Sequence, residues 1–173
     1  MANHVTTIIT IKTNNDKSYN KLQQSFNKEL EIEDLYKTLY ESNIAPKGEE
    51  YINNIGAKWC KLIDPLIWDD GAELILESAW DFPEPAFKQL YNLLQPIDPN
   101  ILIHCSYRDE ADMFVGAAAY GPNGYNRLQE DDLDYPNQDD MTDEEFEEAI
   151  NLYEQNLDNT IGTLKQICIN NSK

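Results

Sequence analysis

The sequence predicts an α+β fold in which an antiparallel or mixed sheet carries helices on one face. The 173 residues are 41% hydrophobic, which is enough for one domain with a substantial core. Stretches of alternating apolar residues are separated by stretches with apolar residues at every third or fourth position. The resulting order, β-α-β-β-α-β-β-α, contains hairpins and split βαβ units, which favour this class.

The first quarter of the chain is predicted to hold one strand and a helical region. Residues 4–12 alternate β-branched side chains and predict a strand. Residues 17–45 carry Leu and Phe at helical spacing and predict one or two helices, which Pro46-Lys47-Gly48 ends. The pattern at residues 50–57 is ambiguous.

Two strand pairs and a helix are predicted in the middle of the chain. Residues 59–63 and 72–80 are interpreted as strands that precede a helix between Pro83 and Pro96. Residues 101–107 and 113–120 are predicted to form the next two strands. The second of them is rich in Gly and Ala, which indicates close packing against a helix.

The C-terminal part is predicted to form a loop followed by a long amphipathic helix. Residues 126–141 are interpreted as an acidic loop. Thr142-Asp143-Glu144-Glu145 matches a capping box, in which Thr and Glu satisfy exposed backbone donors. An apolar stripe predicts a helix that ends near Ile167. We therefore expect an α+β core at 1–125 and an acidic loop and helix at 126–173, packed together as one structural domain.

Negative charge is concentrated in one part of the sequence. The chain has 13 Lys and Arg against 32 Asp and Glu, for a net charge of −19. The 37 residues from Leu128 to Leu164 contain thirteen of these acids and no Lys or Arg. A patch of one sign projects an electric field and selects cationic partners. The same charge disfavours binding to nucleic acid or to anionic membranes, since both require Lys or Arg against phosphate.

The middle of the chain resembles a known family. The motifs are Gly56-Ala57-Lys58-Trp59, Ser78-Ala79-Trp80-Asp81-Phe82-Pro83-Glu84-Pro85, Met113-Phe114-Val115-Gly116 and Asn123-Gly124. Across residues 55–124 they resemble the YubB-type ferredoxin-like domain family, a group of uncharacterised proteins carried by phages, plasmids and genomic islands. The resemblance implies a ferredoxin-like fold and a mobile-element origin, but no catalytic residues. Cys60 and the acidic stretch after Asn126 depart from the family pattern.

Three groups of residues are candidate chemical sites. His104 and Cys105 are neighbours in a predicted strand, so their side chains point to opposite faces and do not form a nucleophile–base pair. Asp109, Glu110 and Asp112 lack the ligand offsets of a calcium loop, as do Asp131, Asp132 and Asp134, and both segments are interpreted as solvated turns. A metal-assisted enzyme built on Asp109, Glu110 and Asp112 is the least favoured hypothesis. The sequence therefore predicts a protein that is not an enzyme and uses no metal or cofactor.

Two tryptophans are candidates for an aromatic binding platform. Trp59 and Trp80 are expected to pack between sheet and helix instead. The cysteines are three in number and widely spaced, so we expect reduced, mostly buried thiols. The N-terminus lacks a signal peptide and the apolar runs are too short to span a bilayer. These features predict a cytosolic location, and the resemblance to the YubB-type family implies that this is the cytosol of a bacterial host.

The acidic stretch has two interpretations. It is either a solvated surface that aids solubility or a mimic of a polynucleotide backbone. A helix rises about 1.5 Å per residue and duplex DNA carries about one phosphate per 1.7 Å, so outward carboxylates can approximate its charge density. We favour a mobile-element interaction protein that occludes the basic groove of a host nucleic-acid-binding defence protein, such as a CRISPR effector or a restriction enzyme.

The predicted partner-binding residues are mostly carboxylates. They are Glu130, Asp131, Asp132, Asp134, Asp139, Asp140, Asp143, Glu144, Glu147, Glu148, Glu154, Asp158 and Tyr135. Tyr125 and Tyr153 are further candidate anchors, because Tyr is favoured at interfaces. The alternative hypothesis is a binding module for a protein that does not bind nucleic acid. That module would use the sheet face or an edge strand, with the acids serving only solubility.

Overall fold

A computed structural model describes residues 3–131 and 133–173, with Asp140 described by its backbone alone. Within these ranges the chain forms an antiparallel sheet and five α-helices, which confirms the predicted α+β class. The strands are β1 (His4–Lys12), β2 (Cys60–Trp68), β3 (Gly71–Ala79), β4 (Leu102–Asp109), β5 (Phe114–Gly121) and β6 (Gly124–Asp131). The helices are α1 (Asp16–Phe26), α2 (Ile32–Tyr40), α3 (Glu49–Ile55), α4 (Glu84–Leu94) and α5 (Asp143–Ser172).

The six strands form an open sheet in the order β2-β3-β1-β4-β5-β6, and every neighbouring pair is antiparallel. The central strand β1 buries Val5, Thr7, Ile9 and Ile11 on one face, as its alternating sequence predicts. We call this the inner face. The side chains between them, such as that of Ile8, point to the opposite, outer face.

The first four helices contribute to the core on the inner face. Leu22 of α1, Leu35 of α2, Ile55 of α3 and Leu90 of α4 all belong to the same buried cluster as Ile9 of β1. This cluster supplies most of the apolar burial, which is the main favourable term in folding.

Helix α5 lies on the outer face, so the expectation that helices cover one face only is wrong. Leu164 and Cys168 pack on Ala117 and Ala119 of β5, in a cluster separate from the main core. The Cys168 thiol donates to the Ala117 carbonyl at 3.4 Å, and the Ser172 hydroxyl donates to the Ala119 carbonyl at 3.2 Å. The small side chains of β5 permit this close approach, as the Gly- and Ala-rich sequence of that strand predicts.

Four boundaries differ from the sequence-based expectation. Strand β2, predicted at residues 59–63, continues to Trp68. Residues 124–131, assigned mainly to a loop, form the edge strand β6. The ambiguous segment at 50–57 is mostly helix α3, and α5 continues to Ser172 instead of ending near Ile167. β6 escapes detection because its inward side chains include Arg127 and Gln129, so the strand lacks an apolar alternation.

Gly116 allows the aromatic ring of Tyr107 to lie directly on β5, since a Cβ at Gly116 would overlap that ring. We expect Gly116→Ala to lower the free energy of unfolding by about 2 kcal/mol, because Tyr107 is buried and overpacking is costly. Gly162→Ala is a matched control, since a Cβ there meets open space on α5. It should stabilise the protein by about 0.5–1 kcal/mol. Urea unfolding of both variants checks the two signs.

Candidate interaction surface

The acidic half of α5 is the part of the helix that extends beyond the sheet. The helix has 30 residues and is therefore about 45 Å long, whereas strands of eight residues span about 27 Å. Ser172 meets β5 near its C-terminal end, and Glu154 meets Arg108 near the end of β4. The buried residues of α5 begin at Leu157, near its midpoint, which leaves residues 143–153 in the projecting half.

Most of the predicted partner-binding carboxylates are exposed. The exposed ones are Glu130, Asp131, Asp134, Asp139, Asp143, Glu144, Glu147, Glu148 and Asp158. Asp132 and the side chain of Asp140 lie outside the described part of the chain. We call the nine exposed carboxylates the acidic surface.

The carboxylates on α5 form two adjacent rows. With about 100° of rotation per residue, Asp143, Glu147 and Asp158 lie along one flank of the helix. Glu144 and Glu148 lie beside them, toward solvent. No Lys or Arg of α5 lies between Asp143 and Leu164, so Asp143, Glu144, Glu147 and Glu148 form an acidic cluster that no base of the helix interrupts. Asp158 lies about 15 Å beyond Glu148 along the helix axis.

A capping box fixes where the helix and its first acids begin, as the sequence predicts. The Glu145 backbone N–H donates to the Thr142 hydroxyl at 3.3 Å, and the Thr142 N–H donates to the Glu145 carboxylate at 2.9 Å. These hydrogen bonds lower the pKa of Glu145. Acids in the first turn also interact favourably with the positive end of the helix.

Arg108 attaches the start of the docked part of α5 to the sheet. Its guanidinium donates to both oxygens of Glu154, at 2.9 and 3.0 Å, and to both oxygens of Asp112, at 2.6 and 3.0 Å. The hydrogen bonds from Arg108 lower the pKa of Glu154. Glu154, predicted to bind a partner, is thus engaged within the protein. Its partner is 46 residues away in sequence, which hid the pair from sequence analysis.

The turn carboxylates weighed as metal ligands also have protein partners. Asp112 is held by Arg108, and Asp109 accepts hydrogen bonds from the backbone N–H groups of Ala111 and Met113. Asp109 is buried, so its interpretation as part of a solvated turn is wrong. Among residues 3–131 and 133–173, no three His, Cys, Asp or Glu side chains are grouped as metal ligands.

The three candidate tyrosine anchors lie on different surfaces. Tyr135 contacts Tyr153 of α5 edge-on, with ring centroids 5.2 Å apart, and both lie beside the acidic surface. Tyr125 stacks on Tyr120, which belongs to the core on the inner face. Tyr125 therefore lies on the side of the sheet opposite to α5.

Trp80 does not pack between sheet and helix, contrary to expectation. It is 54% exposed and has a φ of 74°, which is unusual for a bulky residue. Its backbone N–H donates to the Asn3 carbonyl at 3.0 Å. Trp59 is half-buried and contacts His4 edge-on, with ring centroids 5.1 Å apart. The two tryptophans thus have different environments.

His104 and Cys105 point to opposite faces, as predicted. Cys105 belongs to the main core, where burial raises the pKa of its thiol. Burial, and then the nearby Lys165, lower the pKa of His104 to about 4. The imidazole is therefore neutral near pH 7, and the buried thiol is held in its protonated form.

The lowered pKa of His104 should make stability fall in acid. Above about pH 6.5 the imidazole is neutral in both folded and unfolded chains, whereas between about pH 6.5 and 4 only the unfolded chain gains the proton. The free energy of unfolding of the wild type should fall between about pH 7 and pH 4.5. In His104→Gln this fall should be smaller by about 1–2 kcal/mol. Urea unfolding at both pH values measures this difference. Parallel pH profiles for the two proteins would contradict it.

Comparison with protein-family models, with curated proteins and with solved structures finds no match for this chain. The resemblance of residues 55–124 to the YubB-type family therefore stays a prediction. No helix in the described ranges is both long enough and apolar enough to cross a membrane. Any functional conclusion has to come from the surface of the protein itself.

Proposed function

We propose that this protein acts as an acidic DNA mimic, which binds the basic nucleic-acid-binding groove of a partner protein and blocks it. The observation that supports this function is the acidic surface, which is exposed and contains no Lys or Arg between Leu128 and Leu164. The protein would act by occlusion and not by catalysis.

The average charge spacing on α5 resembles that of one DNA strand. From Asp143 to Asp158 the helix carries seven acids over about 22 Å, an average of one per about 3 Å, and five of them lie within about 8 Å, between Asp143 and Glu148. One strand of duplex DNA carries about one phosphate charge per 3.4 Å of axis. Glu154 is paired with Arg108, so six acids that form no ion pair within the described residues remain. Further exposed acids add charge at the same end of the molecule, namely Glu130, Asp131, Asp134 and Asp139.

Helix stability does not account for this arrangement. Like charges four residues apart, such as Asp143 with Glu147 and Glu144 with Glu148, destabilise a helix by about 0.2–0.5 kcal/mol per pair. The favourable interaction with the helix dipole fades after the first turn, so it does not explain Glu147, Glu148 or Asp158. Binding to a cationic surface would offset these costs.

The rows are also held in place before binding. The capping box begins the helix, the Arg108–Glu154 pair attaches it to β4, and Leu157 is the first buried residue beyond that pair. A preorganised charge array loses less conformational entropy on binding than a disordered acidic tail does.

We also propose a target class and a fold relationship. Strands β1 to β4 have the order β4-β1-β3-β2 with antiparallel pairing, which supports a ferredoxin-like core to which β5, β6 and α5 are added. With the resemblance to the YubB-type family, this suggests a protein of a phage or plasmid. A nucleic-acid-binding defence protein of the bacterial cytosol, such as a CRISPR effector or a restriction enzyme, is the corresponding target.

A binding competition tests this function. Purified RNA-guided nucleases and restriction enzymes would be immobilised and exposed to the protein with and without duplex DNA. We expect at least one target to bind the protein and to release it completely when DNA is saturating. The affinity of this complex should fall at least about tenfold between about 50 and about 300 mM salt, because salt screens surface ion pairs. Binding that tolerates both DNA and salt would refute mimicry.

A second candidate function is docking of a protein that does not bind nucleic acid. Helix α5 contacts β4, β5 and β6 on the outer face. On the other half of that face Ile8 is 38% exposed and Leu66 is 60% exposed. The affinity of a complex made through this area would depend little on salt. Ile8→Asp would abolish binding, whereas charge changes in the acidic surface would not.

A further inference from the structure

The two edge strands of the sheet differ in how well they are protected. β2 shifts register between Leu62 and Asp64 and contains Pro65. Leu62 also exchanges backbone hydrogen bonds with Leu30, at 2.9 and 3.0 Å, on the side away from β3. Bulges, prolines and covering segments prevent an edge strand from pairing with another chain.

β6 has none of these protections. It pairs with β5 at eight consecutive positions, from Gly124 to Asp131, without a register shift, and it contains no proline. None of its residues is buried. Among the described residues, no backbone hydrogen bond joins β6 to a segment other than β5. Alternate N–H and C=O groups of β6 therefore point outward, where an added strand can bind them.

An open groove of about 370 Å³ lies beside β6 on the outer face, next to α5. Its lining residues are Glu130, Asn156, Asn159, Thr160, Thr163 and Leu164. Glu130 is the β6 residue that lines the groove, so a side chain of an added strand that lies beside Glu130 on the outer face would enter it. Five of the six lining residues are polar and one of them is a carboxylate, but most of the exposed lining surface is apolar, which suits long aliphatic side chains that end in a cation.

The charge along β6 selects the partner. Arg127 is the only base in the strand, and its guanidinium donates to Glu84 at 2.6 Å and to the Tyr107 hydroxyl at 2.9 Å. Its charge is thus engaged within the protein, whereas Glu130 and Asp131 are exposed. The net charge of −19 on each copy opposes pairing of two β6 edges. A basic segment of another protein is therefore favoured over a second copy.

We propose that β6 is a docking edge that accepts a lysine- or arginine-rich extended segment of a protein partner as a seventh strand. Main-chain hydrogen bonds supply affinity in this mode, and alternate side chains supply specificity. Cationic side chains of the segment would pair with Glu130 and Asp131. This docking uses the strand edge and is independent of the carboxylates on α5.

A model peptide tests the docking edge directly. The probe is a peptide of alternating Lys and Val with the length of β6, and its control is the same peptide methylated at every backbone nitrogen. We expect the probe to slow hydrogen exchange of the outward amides of β6 by at least about tenfold, because they gain partners. The methylated peptide keeps its charge but loses its donors, so it should give no protection.

Charge-reversal variants separate this docking from binding to α5. The Lys side chains of the probe share one face and therefore meet only one of Glu130 and Asp131, which point to opposite faces. Glu130→Lys with Asp131→Lys should weaken binding of the probe by about tenfold in either orientation, since one attractive pair becomes repulsive. Glu144→Lys with Glu148→Lys should change it by less than about threefold. Equal binding of the methylated peptide, or protection confined to other strands, would overturn the docking edge. If probe binding were weakened only by the Glu144→Lys and Glu148→Lys changes, the docking edge would also be overturned. That result would leave the DNA-mimic proposal intact.

Discussion

Leu164→Asp should release α5 from the sheet and cause a large loss of stability. Leu164 is 8% exposed and packs on Ala117 and Ala119 together with Cys168. The change removes its apolar contacts and places a carboxylate in a cluster that offers it no cation. We expect a loss of about 4 kcal/mol or more, which is a large part of the stability of a typical domain. Urea unfolding followed by circular dichroism measures this loss.

Ile167→Asp is the matched control. It introduces the same charge on the same helix three residues later, but Ile167 is 41% exposed. The change should alter stability by about 0.5 kcal/mol or less, as is usual for surface substitutions. Similar losses in the two variants would show that α5 is not docked through Leu164.

The Leu164 variant also tests whether the acids must be held in position. It retains every carboxylate of the acidic surface, so its net charge is not less negative than that of the wild type. If the rows on α5 mimic a nucleic acid, release of the helix should weaken binding to the target. The released segment would lose conformational entropy when it became ordered on binding, which lowers the affinity. Unchanged affinity would mean that charge alone suffices.

Local signals in the sequence predict much of this fold. The alternation in β1 and the capping box at Thr142 both appear in the structure, because each depends on residues close together in the chain. The α+β class follows from the order of such elements. The order of the elements does not predict which side of the sheet α5 covers, because β5 has small residues on both faces. Ala118 lies in the main core, whereas Ala117 and Ala119 lie beneath α5.

The features that sequence analysis missed depend on contacts between distant residues. Arg127 of β6 is held by Tyr107 and Glu84, which precede it by 20 and 43 residues. Their hydrogen bonds allow a polar side chain to face inward, so β6 lacks the apolar pattern of a strand. The engagement of Glu154 by Arg108 was hidden for the same reason. Exposure of the other acids on α5 was predictable, because the apolar stripe defines the buried side of the helix.

Reversing three charges on α5 should abolish inhibition of a nucleic-acid-binding target. In a variant with Glu144→Lys, Glu147→Lys and Glu148→Lys, each site changes from attracting a cationic groove to repelling it. A surface ion pair contributes up to about 1 kcal/mol, and reversal adds a repulsion of similar size. We therefore expect affinity to fall by at least about 100-fold at low salt, with a smaller difference at high salt because screening reduces both contributions. Inhibition of DNA cleavage and direct binding would both report this loss.

A control with the same change in net charge decides whether position matters. Glu29, Glu49 and Glu50 are exposed acids outside the acidic surface, and replacing all three by Lys also raises the net charge by six. If the rows on α5 make the contacts, the control should retain affinity within about threefold, because charges beyond a Debye length of about 10 Å are largely screened. Equal losses in the two variants would show that only the overall charge attracts the target. An unaffected α5 variant would instead favour docking through the sheet, where Ile8 and Leu66 lie.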